Sequence, residues 1–243
     1  MNILVTAGNT QTPIDRVRCI TNIFTGRTGG QIALEAHRRG HAVTFLTSNP
    51  DLGLVLASQL KTKLETWTIR PYRTFDDLAT AMANLVANGR FDALIHAAAV
   101  SDYALAGIYA PTAETKFDPL GLKWSGGSMT DASAGKVKSH HPELWLRMKP
   151  TPKLADRVRS PWGFRGVFVK FKLEVGVSDE ELRAIASKSR AQSDADIIVA
   201  NTLEGKDAVA WIGDRQGGWD SVVRAELARR LIERIEGVRA DGH

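Results

Sequence analysis

Apolar and polar positions follow a strand-then-helix rhythm along most of this chain. Asn2-Ile3-Leu4-Val5-Thr6 reads as a first strand, and a helix follows near Gly30 to Arg39. Strands are predicted at His41 to Thr47 and Leu64 to Ile69, a helix at Phe75 to Asn88, and a strand at Ala93 to Ala98. The run Ala93-Leu94-Ile95-His96-Ala97-Ala98-Ala99 has no polar face, which suits a central strand buried on both sides. His96 within it reads as a satisfied core histidine before it reads as a chemical group. Further on, Val167 to Leu173 predicts a strand, Asp179 to Gln192 a helix and Asp196 to Ala200 another buried strand. Ala208 to Ile212 predicts a last strand and Trp219 to Ile235 a closing helix.

The rhythm breaks between Tyr103 and Ser133, a stretch rich in Gly, Ser, Thr and Pro with weak periodicity. A segment of that kind reads as a lid, a binding loop or disorder. It is taken here as a lid or dimerisation insertion over about 103–135. Leu144 to Met148 alternates as a strand of an antiparallel arm would. Thr151 to Arg157 can begin a helix, with Thr151 as cap and Pro152 at the first position. No internal repeat and no clear linker divides the chain, so residues 1–243 read as one domain. The predicted fold is α/β: a doubly wound, mostly parallel Rossmann-like sheet with helices on both faces.

The bulk properties narrow the chemistry only a little. Of 243 residues, 43% are hydrophobic and 24% charged, as in ordinary globular proteins. No apolar run approaches a membrane span, and the start Met1-Asn2-Ile3-Leu4 lacks the basic and apolar regions of a signal peptide. The single cysteine, Cys19, excludes an internal disulfide and suits a cytoplasmic location. The net charge of +5 would suit phosphate-rich small molecules or nucleic acid. The basic residues are spread along the chain, which favours small molecules over nucleic acid or a membrane.

The first strand-helix junction is the most informative stretch. A dinucleotide fold has a tight Gly-x-Gly-x-x-Gly turn there. Here Thr6-Ala7-Gly8-Asn9-Thr10 is followed by a long polar excursion carrying Arg16, Arg18, Asn22 and Arg27, then Gly29. Guanidinium groups and a helix N-terminus both suit an anion. Ala97 to Tyr103 ends the central strand, where small residues admit a ligand and Asp102 reads equally as a metal-triphosphate ligand or as a cap. Gly135-Lys136-Val137-Lys138-Ser139 puts two lysines on a loop suited to neutralising pyrophosphate, although surface lysines on loops are common. Phe171 and Asn201 lie at predicted strand ends, where Phe171 could stack on a base.

Taken in order, these segments resemble the phosphopantothenoylcysteine synthetase (phosphopantothenate–cysteine ligase) family of coenzyme A biosynthesis. The likeness rests on Leu4 to Gly8 with Pro13-Ile14-Asp15, Val17-Arg18 to Asn22, Gly26-Arg27-Thr28-Gly29, Ala97 to Tyr103, Lys136 to Ser139, Met148 to Leu154, Phe171 to Glu174 and Ile198 to Asn201. The resemblance implies nucleotide-dependent ligation of cysteine to 4′-phosphopantothenate through an acyl-nucleotidylate. By carry-over, Asn22 would hold that intermediate, Arg18 would assist the second half-reaction, and Lys136 would steady the triphosphate. Ala97, Ala98, Ala99, Asp102, Pro152, Lys153, Leu154, Ala155, Phe171 and Lys188 would contact the nucleotide. Gly26, Arg27 and Gly29 would hold the substrate phosphate, and Asp102 would meet Mg2+. A homodimer is implied, and several segments lean towards ATP over CTP.

The sequence departs from the family pattern in places. Phe24-Thr25 stands where two small hydroxyl residues are usual, Asn201-Thr202 replaces Ala-Asn-Asp, and the bacterial helix lysines align only through Lys188. Bacterial relatives are often fused behind a flavin-dependent decarboxylase, for which these residues leave no room. Two rivals remain at this stage. One is an NAD(P)-dependent short-chain dehydrogenase or epimerase, which should show Gly-x-x-x-Gly-x-Gly and Tyr-x-x-x-Lys, and neither is present. The other is a diverged, non-catalytic nucleotide-binding relative.

Overall fold

The structure is a computed structural model and describes residues 1–60 and 64–240. In chain order it contains β1 (Asn2–Ala7), a small hairpin of β2 (Gln11–Pro13) and β3 (Cys19–Thr21), α1 (Arg27–Arg38), β4 (Ala42–Thr47), α2 (Pro50–Ala57), β5 (Trp67–Pro71), α3 (Phe75–Asn88) and β6 (Ala93–His96). Then come β7 (Tyr103–Pro111), β8 (Lys116–Asp118), β9 (Lys123–Ser125), β10 (Met129–Asp131) and β11 (Trp145–Pro150). The last part holds α4 (Leu154–Arg157), β12 (Val167–Glu174), α5 (Asp179–Gln192), β13 (Ile197–Thr202), β14 (Val209–Gly213), β15 (Trp219–Val223) and α6 (Leu227–Ala240). These elements form two compact units. One holds residues 1–10, 23–99 and 153–243, and the other holds residues 11–22 and 100–152.

The larger unit is built on an eight-stranded sheet of order β15-β14-β13-β12-β6-β1-β4-β5. The six strands from β13 to β5 pair in parallel, whereas β14 and β15 add an antiparallel edge. Parallel strands need helical crossovers, which cover both faces, so the central strands must be apolar on both sides. β1 and β6 meet that demand: Ile3, Leu4, Val5, Ala93, Leu94 and Ile95 are all fully buried. Alternate residues sort to opposite faces. Ile3, Val5, Phe45, Ile95, Val169 and Val199 pack with Ile32 and Ala33 of α1 and with Leu231, Ile232 and Ile235 of α6. Ile198 and Ala200 take the other face, with Leu182 and Ala186 of α5. Each large aliphatic buried in this way contributes about 1.5–3 kcal/mol.

Local chemistry sets the helix starts. Thr74 accepts from Asp77 N at 3.2 Å while Asp77 accepts from Thr74 N at 2.8 Å, which caps α3. Ser178 and Glu181 repeat the arrangement on α5. Each such cap is worth about 1 kcal/mol. The predicted bounds of both helices agree with the structure.

The smaller unit contains a three-stranded sheet, β10-β7-β11, and the hairpins β2/β3 and β8/β9. Its core is small: Ile108, Ala110, Ala132 and Val137, with Ile14, Leu105 and Leu146 against them. Phe117, Trp124 and Trp145 form a second cluster with ring centroids 4.4–5.0 Å apart. The 103–135 segment, read as irregular, therefore contains four strands. In β7 only Ile108 and Ala110 are buried, so no alternation of apolar residues announced it. Leu144 to Met148 does take part in an antiparallel pairing, β11 with β7.

Three further readings are corrected. Trp219–Val223 is a strand rather than the start of the closing helix. Asp214 and Gly218 turn β14 back on itself, with Asp214 N donating to Gly218 O at 3.2 Å. The helix expected from Thr151 is only Leu154–Arg157, because Thr151 Oγ1 donates to Ser101 O at 2.7 Å instead of capping. Residues 64–66 form a 3-10 turn, and β5 starts at Trp67. The helix α2 gave no periodic signal, since its segment Pro50-Asp51-Leu52-Gly53-Leu54-Val55-Leu56-Ala57 is apolar nearly throughout.

Within the sheet lies a set of buried polar groups. Thr6 Oγ1 and His96 Nδ1 lie 2.8 Å apart. His96 pairs in register with Lys170 on β12, whose Nζ donates to Ser193 Oγ at 2.5 Å and to Ser189 O at 3.0 Å. Ser193 Oγ in turn donates to Asp156 Oδ1 at 2.5 Å. Burial pushes His96 down to about 4, with Lys170 adding to the effect, so it is the satisfied neutral core histidine that its position suggests. Burial also pushes Lys170 down to about 8, with Asp156 opposing. Between about pH 8 and the ordinary lysine value of 10.5, the unfolded chain then binds more protons than the native one at this site. Stability therefore rises with pH across that window. The prediction is that wild type gains on Lys170→Met between pH 8 and 10.5 when both are unfolded in denaturant. Parallel profiles would show that Lys170 does not titrate low.

Candidate functional site

The site begins where β1 ends and α1 starts. Gly26 precedes the helix with φ 85°, in the left-handed region that favours glycine. A Cβ at Gly26 would stand 2.7 Å from Gly8 N, and one at Gly29 would stand 2.6 Å from Ala7 Cβ. Side chains at these positions would force the helix off the strand. Unlike α3 and α5, α1 has no side-chain cap and no acid in its first turn. Its first N–H groups and the positive end of its dipole are left for an external acceptor.

A cavity of about 420 Å³ opens at this junction. Gly8, Arg27, Thr28, Ala97, Ala98 and Ala99 line it from one side, and Phe171, Asn201, Lys206, Asp207 and Arg224 from the other. It lies at the carboxyl ends of β1, β6, β12 and β13. The parallel strands run outward from β1 through β4 and β5 on one side, and through β6, β12 and β13 on the other. Ligands of open α/β sheets bind at such a switch point. The alanines spend their N–H groups on β1: Ala97 N donates to Thr6 O at 3.1 Å, Ala98 N to Thr6 Oγ1 at 3.4 Å and Ala99 N to Gly8 O at 2.8 Å. What they offer the cavity is small side chains and close approach.

The cavity wall is cationic. Lys172 is tied to Glu174 at 2.8 Å and Lys206 to Asp207. The hydrogen bond from Lys206 is the main cause that holds the Asp207 carboxyl below its ordinary value. Arg224 donates through Nη2 to Thr28 Oγ1, and burial shifts its guanidinium downward against the pull of Asp207. The sequence reading included Lys172 only within the segment Phe171 to Glu174, and named none of Lys206, Asp207 or Arg224. Periodicity carried no signal for these three, because they reach the cavity from the turn after β13 and the turn after β15.

The smaller unit has a cleft of its own, lined by Val17, Arg18, Lys136, Val137, Lys138, Ser139 and His140. Asp15 organises it. Its carboxylate accepts from Val17 N and Arg18 N at 2.8 Å each, from Val137 N at 3.0 Å and from Arg18 Nη2 at 2.6 Å. Arg18 Nη2 also donates to Val137 O at 2.6 Å. The Arg18 guanidinium, followed by the backbone donors, holds Asp15 well below the usual carboxylate range.

Of the residues picked from sequence, the cavity at the β1–α1 junction gathers Gly26, Arg27, Gly29, Ala97, Ala98, Ala99 and Phe171. Arg18 and Lys136 share the cleft of the smaller unit. Asn22, Asp102 and Pro152 also belong to the smaller unit. Lys153, Leu154, Ala155 and Lys188 belong to the larger one but are not among the residues lining its cavity. Leu154 is buried and Lys188 is exposed on α5.

These features define a Rossmann-like α/β protein with an anion-receptive cavity at its switch point. The profile of the DNA/pantothenate metabolism flavoprotein C-terminal domain matches residues 1–117. The coenzyme A biosynthesis bifunctional protein CoaBC of Thermococcus kodakarensis is 32% identical over 240 residues, covering 96% of this chain, and the chain spans 50% of that protein's length. The crystal structure of the DNA/pantothenate metabolism flavoprotein from Streptococcus pneumoniae superposes with TM-score 0.78 at 29% identity, covering 98% of this chain and 99% of that one. A Cab2 mutant in complex with phosphopantothenate-cysteine shares the fold, with TM-score 0.71 at 16% identity over 99% of this chain and 86% of that one. The chain is thus similar over nearly its whole length to proteins of pantothenate metabolism and coenzyme A biosynthesis. Among the described residues, no helix is long and apolar enough to cross a membrane.

The Asp15 network yields a prediction. A carboxylate held low contributes order above its ordinary range and loses it only as pH falls through the depressed value. Asp15→Asn should therefore raise amide exchange at residues 135–139 at neutral pH and leave α3 and α5 protected. Unchanged exchange in that loop would show that Asp15 does not hold it.

Proposed function

We propose that this protein ligates cysteine to 4′-phosphopantothenate at the expense of a nucleoside triphosphate. The observation that carries the reading is the cavity at the β1–α1 junction, lined by the glycines, small alanines and Phe171 that the family motif supplies. Its volume suits a nucleotide-sized ligand, and its open helix start suits phosphate. The likeness to CoaBC supports the same reaction class.

In this reading an oxygen of the substrate carboxylate attacks the α-phosphorus and pyrophosphate leaves. The cysteine nitrogen then attacks the acyl carbon, loses a proton, and the nucleoside monophosphate leaves. Asn22 donates its amide to the acyl-nucleotidylate, Arg18 assists the second step, and Lys136 neutralises the charge growing on pyrophosphate. Ala97 to Ala99 and Phe171 hold the nucleotide, and Gly26, Arg27 and Gly29 hold phosphate. Among the described residues, no three His, Cys, Asp or Glu side chains gather into a metal cage. Mg2+ needs none, since it takes one or two carboxylates together with phosphate oxygens and water. Asp102 is the carboxylate assigned to it, and the ion supplies charge neutralisation at the phosphates when bound. The reading includes ATP as the nucleotide, a homodimer, and a cytoplasmic setting.

Pyrophosphate release tests the reading, with phosphopantothenate and either ATP or CTP, with and without cysteine. Amide formation should require all three substrates, and its absence would overturn the reading. Asn22→Asp should lower amide formation by roughly two orders of magnitude while the fold survives, as loss of one donor to developing charge does. Lys136→Ala should impair pyrophosphate release more than Lys138→Ala, and the reverse ranking would reassign the lysine. A tenfold or greater kcat/KM advantage for CTP would replace ATP and leave the ligase intact. A monomer by light scattering would remove the homodimer.

A further inference from the structure

Arg224 follows β15 as the first residue of a 3-10 turn over Arg224–Glu226. Its backbone N–H donates to Ala208 O at 2.8 Å, which fixes where the side chain starts. The side chain lines the cavity at the β1–α1 junction together with Arg27, Thr28, Lys206 and Asp207. One arm of the guanidinium, Nη2, is tied to Thr28 Oγ1 in the first turn of α1. The other, Nη1, is buried and has no hydrogen-bond partner among the described residues. A buried charged donor without an acceptor is unfavourable. Asp207, the sole acid among the described lining residues, attracts Arg224 through its charge, but it is hydrogen-bonded to Lys206 and makes no hydrogen bond to Nη1.

The missing acceptor has a recognisable chemistry. Arg27 and Arg224 are two guanidinium groups on one cavity, beside a helix start with no cap of its own. A neutral carbonyl would satisfy Nη1 but bring no charge to a lining that sets Arg27, Lys172, Lys206 and Arg224 against the single carboxylate of Asp207. A phosphoryl group brings several oxygens and negative charge, and matches the fork of an arginine.

We infer that Arg224 is a phosphoryl-binding residue, positioned by Thr28 to hold a phosphoryl oxygen over the first turn of α1. A turn of the guanidinium about its terminal torsions gives Nη1 its acceptor. The inference rests on the ligase reading for the identity of the phosphoryl group. That group has two sources there, the nucleotide polyphosphate and the phosphate monoester of the acid substrate.

The test is calorimetric titration of the full chain with inorganic pyrophosphate, without turnover. Wild type should bind, and Arg224→Gln should weaken binding by about tenfold or more, as loss of a charged hydrogen bond does. Arg224→Lys keeps the charge and should recover part of the affinity, which a purely structural role would not predict. Arg38→Gln, at the exposed far end of α1, controls for net charge and should change affinity by less than about twofold, given salt screening. Circular dichroism melts confirm that each variant is folded. Equal affinity of wild type and Arg224→Gln, or no pyrophosphate binding by wild type, overturns the assignment. A chain that binds pyrophosphate through Arg224 but forms no amide would refute the ligase and leave this site standing. In an active enzyme, a rise in KM for the nucleotide alone assigns the polyphosphate, and a rise for phosphopantothenate alone assigns the monoester.

Discussion

The larger unit depends on one close approach, that of the end of β1 to the start of α1. Gly26 lets the backbone of the helix start meet that of Gly8, and Gly29 leaves room for the Ala7 side chain, where any larger residue would intrude. The positive φ at Gly26 turns the chain into α1 without a capping side chain. Helix α1 is thereby pressed against β1 by Ile32 and Ala33, while its first N–H groups stay unclaimed. The same contact that completes the core also makes the anion-receptive corner. Stability and function share one constraint here, so a substitution at Gly26 would disturb both.

Polar groups do the remaining organising, in two different ways. Within the sheet, Thr6 is hydrogen-bonded to His96, and Lys170, in register with His96, is linked through Ser193 to Asp156 of α4. Burial keeps His96 neutral and lowers Lys170, so this chain avoids two adjacent buried charges near neutral pH. In the smaller unit the hydrophobic core is slight, and Asp15 compensates by accepting from backbone N–H groups of two loops at once. A fixed carboxylate replaces packing as the element that holds Arg18 beside the lysine loop. That arrangement sets the position of the loop without filling the space beside it.

Apart from Lys153, Leu154, Ala155 and Lys188, which the cavity does not gather, the residues assigned by family likeness fall into two groups. Gly26, Arg27, Gly29, the three alanines and Phe171 sit at strand ends or helix starts of one sheet, and a single cavity collects them. Arg18, Asn22, Asp102 and Lys136 lie in segments that leave that sheet: residues 11–22 between β1 and α1, and residues 100–152 after β6. Both excursions depart from strands that border the switch point.

The sequence by itself determined the parallel sheet, the limits of α3 and α5, and the importance of the first strand-helix junction. Those features are local: a buried strand must be apolar throughout, and a capped helix announces its start within four residues. It also determined which residues near the junction carry charge, and the order in which the motifs occur. Tertiary structure alone decided that 103–135 forms strands and that Trp219–Val223 joins the sheet as an edge strand. Exposed or half-buried strands obey pairing partners rather than periodicity, so their pattern is weak. Only the fold could bring Arg224 and Asp207 to Arg27 and Thr28, because roughly two hundred residues separate them in sequence and no periodic signal spans that distance. The cavity is a property of where strands end together, which is fixed by register and packing in three dimensions.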